Sequence, residues 1–113
     1  MITGKFIGLL FQSRDAMHLT HLNTTSYAEH KALNAYYDSI LDLTDKFTEA
    51  YFGQNKRCDI IIPESKVLEP STHLKELRNI LSKERENYPS ELQNIIDEML
   101  GLIDGTLYLL TLN

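Results

Sequence analysis

The sequence predicts an all-α fold, a single four-helix bundle over residues 1–113 with one long crossover between its second and third helices. Three observations predict it. Apolar residues recur at intervals of three and four in four separate stretches. Three prolines and five glycines are few for 113 residues, and most lie outside those stretches. Between the second and third stretches lies a segment, residues 54–70, whose β-branched run ends at a proline and does not read as helix.

The first helix is expected from about Lys5 to Leu22, with Phe6, Leu9, Leu10, Met17 and His21 marking one side. Asn23-Thr24-Thr25-Ser26 breaks it. Ser26 followed three residues later by Glu29 is a capping box, so the second helix opens near Tyr27. Its stripe is the strongest periodic signal in the chain: Leu33, Tyr36, Tyr37, Ile40, Leu43 (or Thr44), Phe47, Ala50 and Tyr51. Gly53 is a natural C-cap, and from Tyr27 to Phe52 such a helix is about 39 Å long. Residues 54–70, extended at about 3.3 Å each, can reach roughly 55 Å and so run the length of the bundle. Ile60-Ile61-Ile62 is expected to give this segment its grip on the bundle surface. One long link at this place is the connectivity of ferritin-like bundles, whereas simple up-down bundles turn tightly.

A third helix is expected over about Ser71–Glu86, with Leu74, Leu77, Ile80 and Leu81 on its apolar side. Tyr88-Pro89 interrupts the chain. Ser90 and Gln93 form a second capping box, which opens a fourth helix through Leu92, Ile95, Ile96, Met99, Leu102, Ile103, Leu107 and Leu110. Gly101 and Gly105 weaken this helix by about 1 kcal/mol each relative to alanine. Their spacing allows close approach of a neighbouring helix, although glycines merely tolerated in a packed helix are the simpler reading. Asp97, Glu98 and Asp104 read as its solvated side.

Composition narrows the function. The single cysteine, Cys58, excludes an internal disulfide and a cysteine-based zinc site, and reads most simply as a free thiol in a reducing compartment. The apolar run near Met1 is about seven residues, too short to span a bilayer and without a signal-peptide cleavage pattern. A cytoplasmic protein, in a bacterial or phage-infected cell, with no membrane partner is expected. Net charge is −5 and the eleven lysines and arginines are scattered, so no nucleic-acid partner is expected. Mild acidity suits a chain that attracts cations. Glycine-rich phosphate loops, Gly-x-Ser-x-Gly and His-Glu-x-x-His are all missing, and so is the Glu-x-x-His of an intrachain di-iron site.

What remains is a set of histidines and carboxylates. His18, His21 and His30 cluster about the first turn, and only His73 lies elsewhere. With that turn centred near Thr24, His18 and His30 fall at the same height on neighbouring helices and can converge on one cation. His21 is closer to the turn, as an alternative ligand or an outer neighbour. Asp45 and Glu49 share one face of the second helix, a pattern that is most often plain surface charge. His30 precedes Asp45 by about 22 Å of helix, so no single chain can use both in one site. Two copies of that helix, antiparallel on a two-fold axis, would bring His30 of each against Asp45 and Glu49 of the other.

The intervals from His18 to His30, to Asp45 and to Glu49 are twelve, fifteen and four. This set resembles the mini-ferritins, or Dps-type proteins. His21-Leu22-Asn23 is similar to that family's His-Trp-Asn, and Ala28-Glu29-His30 stands where its helix-opening histidine falls. Compact ferritin-like proteins of tailed bacteriophages are similar in Ser-Tyr-Ala-Glu-His-Lys-Ala-Leu. The resemblance implies a ferritin-like fold and a homo-oligomer. It also implies an intersubunit Fe(II) site with His18 and His30 from one chain and Asp45 and Glu49 from the other. Ferroxidase or peroxide-consuming activity is implied with it. Asn34 stands where the family usually has a further aspartate, and no tryptophan is present. Zinc or manganese suits the same donors. The alternative is a non-enzymatic adaptor or assembly protein on the same scaffold, with Tyr36-Tyr37 or Ile60-Ile61-Ile62 as a partner surface.

Overall fold

The computed structural model describes residues 1–112. Among these residues four helices are present, α1 (Thr3–Asn23), α2 (Tyr27–Gln54), α3 (Pro70–Glu84) and α4 (Ser90–Leu109), with a 3-10 turn at Arg85–Asn87 before α4. No strand occurs among the described residues. The bundle measures 43 × 25 × 20 Å. Each helix packs on two others: α1 on α2 and α3, and α4 on α2 and α3.

Side-chain pairings fix the directions. Ser13 meets His73 while the Met1 ammonium meets Glu84, so α3 runs antiparallel to α1. Lys46 pairs with Glu98 and Gln54 with Glu91, so α4 runs antiparallel to α2. The second and third helices are therefore parallel, which is possible only because residues 55–69 carry the chain back from one end of the bundle to the other.

That crossover lies directly on α1. The Ile61 amide donates to the Gly4 carbonyl, the Gln12 side chain donates to the Glu64 carbonyl, and Thr20 Oγ1 exchanges bonds with the Leu68 amide and carbonyl. Close approach depends on two glycines. A β-carbon on Gly4 would overlap the Asp59 carbonyl, and one on Gly8 would overlap the Ile61 carbonyl. The expected isoleucine grip is thus corrected: Ile60 packs on the core, but Ile61 and Ile62 are about half exposed.

Helix ends show how local chemistry was redirected. Ser26 Oγ accepts the Glu29 amide at 3.2 Å, as a capping serine should, while the Ser26 amide goes to Thr24 Oγ1. Gly53 does not stop α2. It keeps a negative φ, and the helix runs on to Gln54 with Asn55 as its cap. α3 opens at Pro70 instead of Ser71, because Glu69 caps it by accepting the Ser71 and Thr72 amides. Those bonds hold the Glu69 carboxyl below its usual range. The expected Ser90–Gln93 box does not form. Ser90 is already helical and bonds Glu91, and the Gln93 side chain reaches the Arg85 carbonyl.

The core runs the length of the bundle. At one end Phe6, Phe47 and Tyr88 pack edge-on and stacked with centroids 5.2–5.8 Å apart. Tyr36 and Tyr37 are both buried, so neither is free to form a partner surface. Among the described residues no helix is long and apolar enough to cross a membrane.

Candidate functional site

The end of the bundle opposite the phenylalanines holds the three histidines. The tight α1–α2 turn brings His21, near the end of α1, beside His30, in the first turn of α2. Their rings stack with centroids 3.6 Å apart and planes 18° from parallel. Each ring bonds the other residue's backbone: His21 Nδ1 to the His30 carbonyl at 2.6 Å, and His30 Nδ1 to the His21 carbonyl at 3.0 Å. A carbonyl only accepts, so both Nδ1 atoms carry the proton. In the neutral rings both Nε2 atoms are therefore unprotonated and bear the lone pair. Metal-bound histidines are oriented by this kind of Nδ1–H bond to a carbonyl.

His18 lies one turn before, stacked on the Tyr37 ring at 4.2 Å and 6.0 Å from the His21 ring. His21 sits edge-on to Tyr37 at 5.3 Å. Tyr37 donates its hydroxyl to Asn34 Oδ1 at 2.8 Å, and the Arg14 guanidinium lies 5.4 Å from its ring centre. The corner is thus a stack in which His21, nearly fully buried, is in ring contact with both of the other histidines. His21 and His30 cannot share one ion as they stand. A metal needs both nitrogens about 2.0–2.1 Å away, and planes this nearly parallel do not meet there.

Asp45 and Glu49 are exposed on α2 and have no ion-pair partner among the described residues. By helical rotation Asn34, Asp45 and His30 lie within about 60° of one another around α2. Among the described residues no group of three or more histidines, cysteines or carboxylates within one chain is placed to hold a metal ion.

A second polar cluster was not anticipated from the sequence. Ser13 Oγ lies 2.7 Å from Tyr36 Oη and 2.8 Å from His73 Nε2, all within the α1–α2–α3 interior. Burial pushes the Tyr36 phenol strongly up and the His73 imidazole down, with nearby Glu76 opposing the shift at His73. A neutral His73 with Nε2 as acceptor satisfies the chain: Tyr36 donates to Ser13 and Ser13 donates to His73. His73 also lines a cavity of about 190 Å³ with Leu9, Gln12, Glu76, Leu77 and Ile80. Ser13 is completely buried, so this pair is a structural network and not an accessible nucleophile and base.

Fold and corner together define a four-helix bundle with a single long crossover and a stacked histidine cluster at its α1–α2 turn. Residues 21–110 match a family of unknown function, DUF5856, and the chain belongs to that family. It is 33% identical over 112 residues to the uncharacterized 14.6 kDa protein in mobD-ri intergenic region of Enterobacteria phage T4, an alignment covering 96% of this chain and 87% of that protein. No solved structure matches the chain.

Proposed function

We propose that the chain is a ferritin-like, Fe(II)-binding protein whose metal site forms between two copies packed through the α1–α2 face. The carrying observation is the histidine corner, where the His21 carbonyl holds the Nδ1 proton of His30 and leaves its Nε2 lone pair free for a metal. His18 and His30 supply nitrogen from one chain in this reading, and Asp45 and Glu49 supply oxygen from the other. The exposure of both carboxylates without a cation partner supports it, as does the order of helices around the crossover. Imidazole and carboxylate suit Fe(II), with zinc or manganese as competitors. His21 backs the ligands, and Asn34 engages Tyr37. Oxidation of Fe(II) by peroxide or dioxygen is the activity such a site would support. The similarity to a phage protein fits a bacterial host cytoplasm as the setting.

A second reading, a non-enzymatic adaptor, has one specific observation in its favour. The reciprocal bonds of His21 and His30 give both rings a structural role without any metal. Anaerobic addition of Fe(II) to apo-protein separates the two, with bound metal per chain and mass in solution followed together. The iron reading expects metal to travel with a dimer or larger species, and both His30→Ala and Glu49→Ala to lose it. Iron that fails to bind, or that binds both variants as it binds the wild type, leaves the adaptor.

A further inference from the structure

Tyr36 differs from the other five tyrosines in what its hydroxyl leads to. Tyr37 donates to the Asn34 side-chain oxygen and Tyr88 shares a bond with Thr3, neither of which is a base. Tyr27 and Tyr108 are largely exposed, and the Tyr51 hydroxyl has no side-chain partner among the described residues. Tyr36, completely buried, reaches Ser13 at 2.7 Å, and Ser13 reaches His73 Nε2 at 2.8 Å. Both are distances across which a proton passes between positioned groups. His73 is half-buried and lines its cavity together with exposed Glu76, so the chain runs from the core to a cavity at the surface.

The chain is satisfied with its protons in either of two arrangements. In the first, Tyr36 donates to Ser13 and Ser13 donates to a neutral His73. When each proton moves one bond along, His73 Nε2 donates to Ser13, Ser13 donates to the Tyr36 oxygen, and His73 gives up its Nδ1 proton to solvent. Every bond is still made, and Tyr36 has lost its proton. A phenolate there would be a charge in the core, and burial pushes that phenol's pKa strongly up. A neutral phenoxyl radical carries no charge, so burial does not oppose it. An oxidised phenol is strongly acidic and needs only a path for its proton. We infer that Tyr36 is a redox-active tyrosine, which gives one electron to an oxidant while Ser13 and His73 carry its proton out of the core. Burial keeps substrates from Ser13 but not electrons from leaving Tyr36, since an electron crosses packed atoms without contact. Tyr37, the next residue, stacks on His18 at 4.2 Å and links the site to the histidine corner. The physiological oxidant rests on the iron reading: hydrogen peroxide takes one electron from Fe(II) and one from Tyr36. With two protons, one matching that released by Tyr36 and one from solvent, it becomes two waters.

The test uses no iron. With a chelator present, the protein is photo-oxidised by a ruthenium tris-bipyridine complex and a cobalt(III) electron acceptor, and radicals are followed by electron paramagnetic resonance. The wild type is expected to hold a tyrosyl radical that outlasts those of the exposed tyrosines. Tyr37→Phe is expected to keep that radical and Tyr36→Phe to lose it. His73→Gln leaves Ser13 an acceptor but no base, and is expected to lose the long-lived signal while keeping the wild-type circular dichroism. In the wild type itself the radical is expected to form more slowly in heavy water, because protons move with the electron. A wild type without a long-lived radical, a radical that survives Tyr36→Phe or His73→Gln, or a rate unchanged in heavy water would each overturn the assignment. The iron reading fails separately, by loss of Fe(II) binding in the wild type or its retention in the His30→Ala and Glu49→Ala variants.

Discussion

Two histidine arrangements in this bundle hold their protons in different ways. His21 and His30 give their Nδ1 protons to each other's carbonyls across the turn, so the pair works as a latch whether or not a metal follows. His73 instead accepts a proton from Ser13, at the end of a chain that starts on the buried Tyr36 phenol. Protonating His73 makes it a donor to Ser13 Oγ and leaves one hydroxyl proton of the Ser13–Tyr36 pair without an acceptor within the chain of bonds, which is costly. The sign follows from the lowered imidazole pKa. Where the unfolded chain binds the proton and the folded one does not, stability rises with pH. The contribution is fully present above the unfolded imidazole value, about 6.5, and is lost as pH falls from there through the folded value. Urea unfolding between pH 8 and pH 5 is therefore expected to weaken for the wild type by up to about 1.4 kcal/mol per pH unit within that window. The difference between wild type and His73→Gln isolates this slope, and parallel curves for the two proteins would refute it. Counting outward from Thr24 gathered His18, His21 and His30 at one turn but set His18 level with His30, whereas the structure stacks His21 on His30 and places His18 a turn away on Tyr37. The Ser13–Tyr36–His73 chain was not legible, because Ser13 reads as an ordinary polar helix residue until the path of the crossover places α3 beside it.

At the level of elements, two glycine pairs with the same four-residue spacing have opposite meanings. Gly101 and Gly105 attract notice in the sequence because they interrupt a strongly apolar helix, yet nothing lies within 4 Å of a β-carbon added at either. Gly4 and Gly8 pass as part of an apolar start, yet the crossover backbone rests on both. The reason the sequence hid this is physical: the crossover touches α1 through main-chain atoms, and backbone contact leaves no side-chain pattern to read. Alanine scanning of the four positions should give two signs. Gly101→Ala and Gly105→Ala remove a helix penalty in open space and should each stabilise by about 1 kcal/mol. Gly8→Ala forces the crossover outward and should destabilise by about 2–3 kcal/mol despite the same propensity gain, with Gly4→Ala similar. Urea midpoints at unchanged m-value measure all four, and a stabilising Gly8→Ala would mean the crossover does not lie where it is described. Helix boundaries show the same division. The Ser26 cap was legible because its bond is local, whereas Gly53 does not end α2: the helix runs one residue on to Gln54, whose side chain donates to Glu91 on α4.

For the whole molecule the crossover decides the topology, and its length is close to the minimum that works. Ile61 sits level with the first turns of α1 and Leu68 with Thr20. At 1.5 Å per helical residue the distance between those levels is about 20 Å. The seven peptide units from Ile61 to Leu68 reach about 23–25 Å when fully extended. Removing Ser65 and Lys66 leaves a reach of about 17–18 Å, short of what the two anchors require. One anchor must then let go, either the Thr20–Leu68 bonds that set the start of α3 or the seat of Ile61 on Gly4 and Gly8. Inserting two glycines at the same place only lengthens a surface loop, at a cost of about half a kcal/mol or less. The two changes are equal in size and opposite in direction, so an effect of mere perturbation would treat them alike. A taut crossover predicts a large fall in the urea midpoint for the deletion and almost none for the insertion. If the deletion is tolerated as well as the insertion, the chain has slack, and parallel α2 and α3 must then be held by their packing on α4 and not by the segment that joins them.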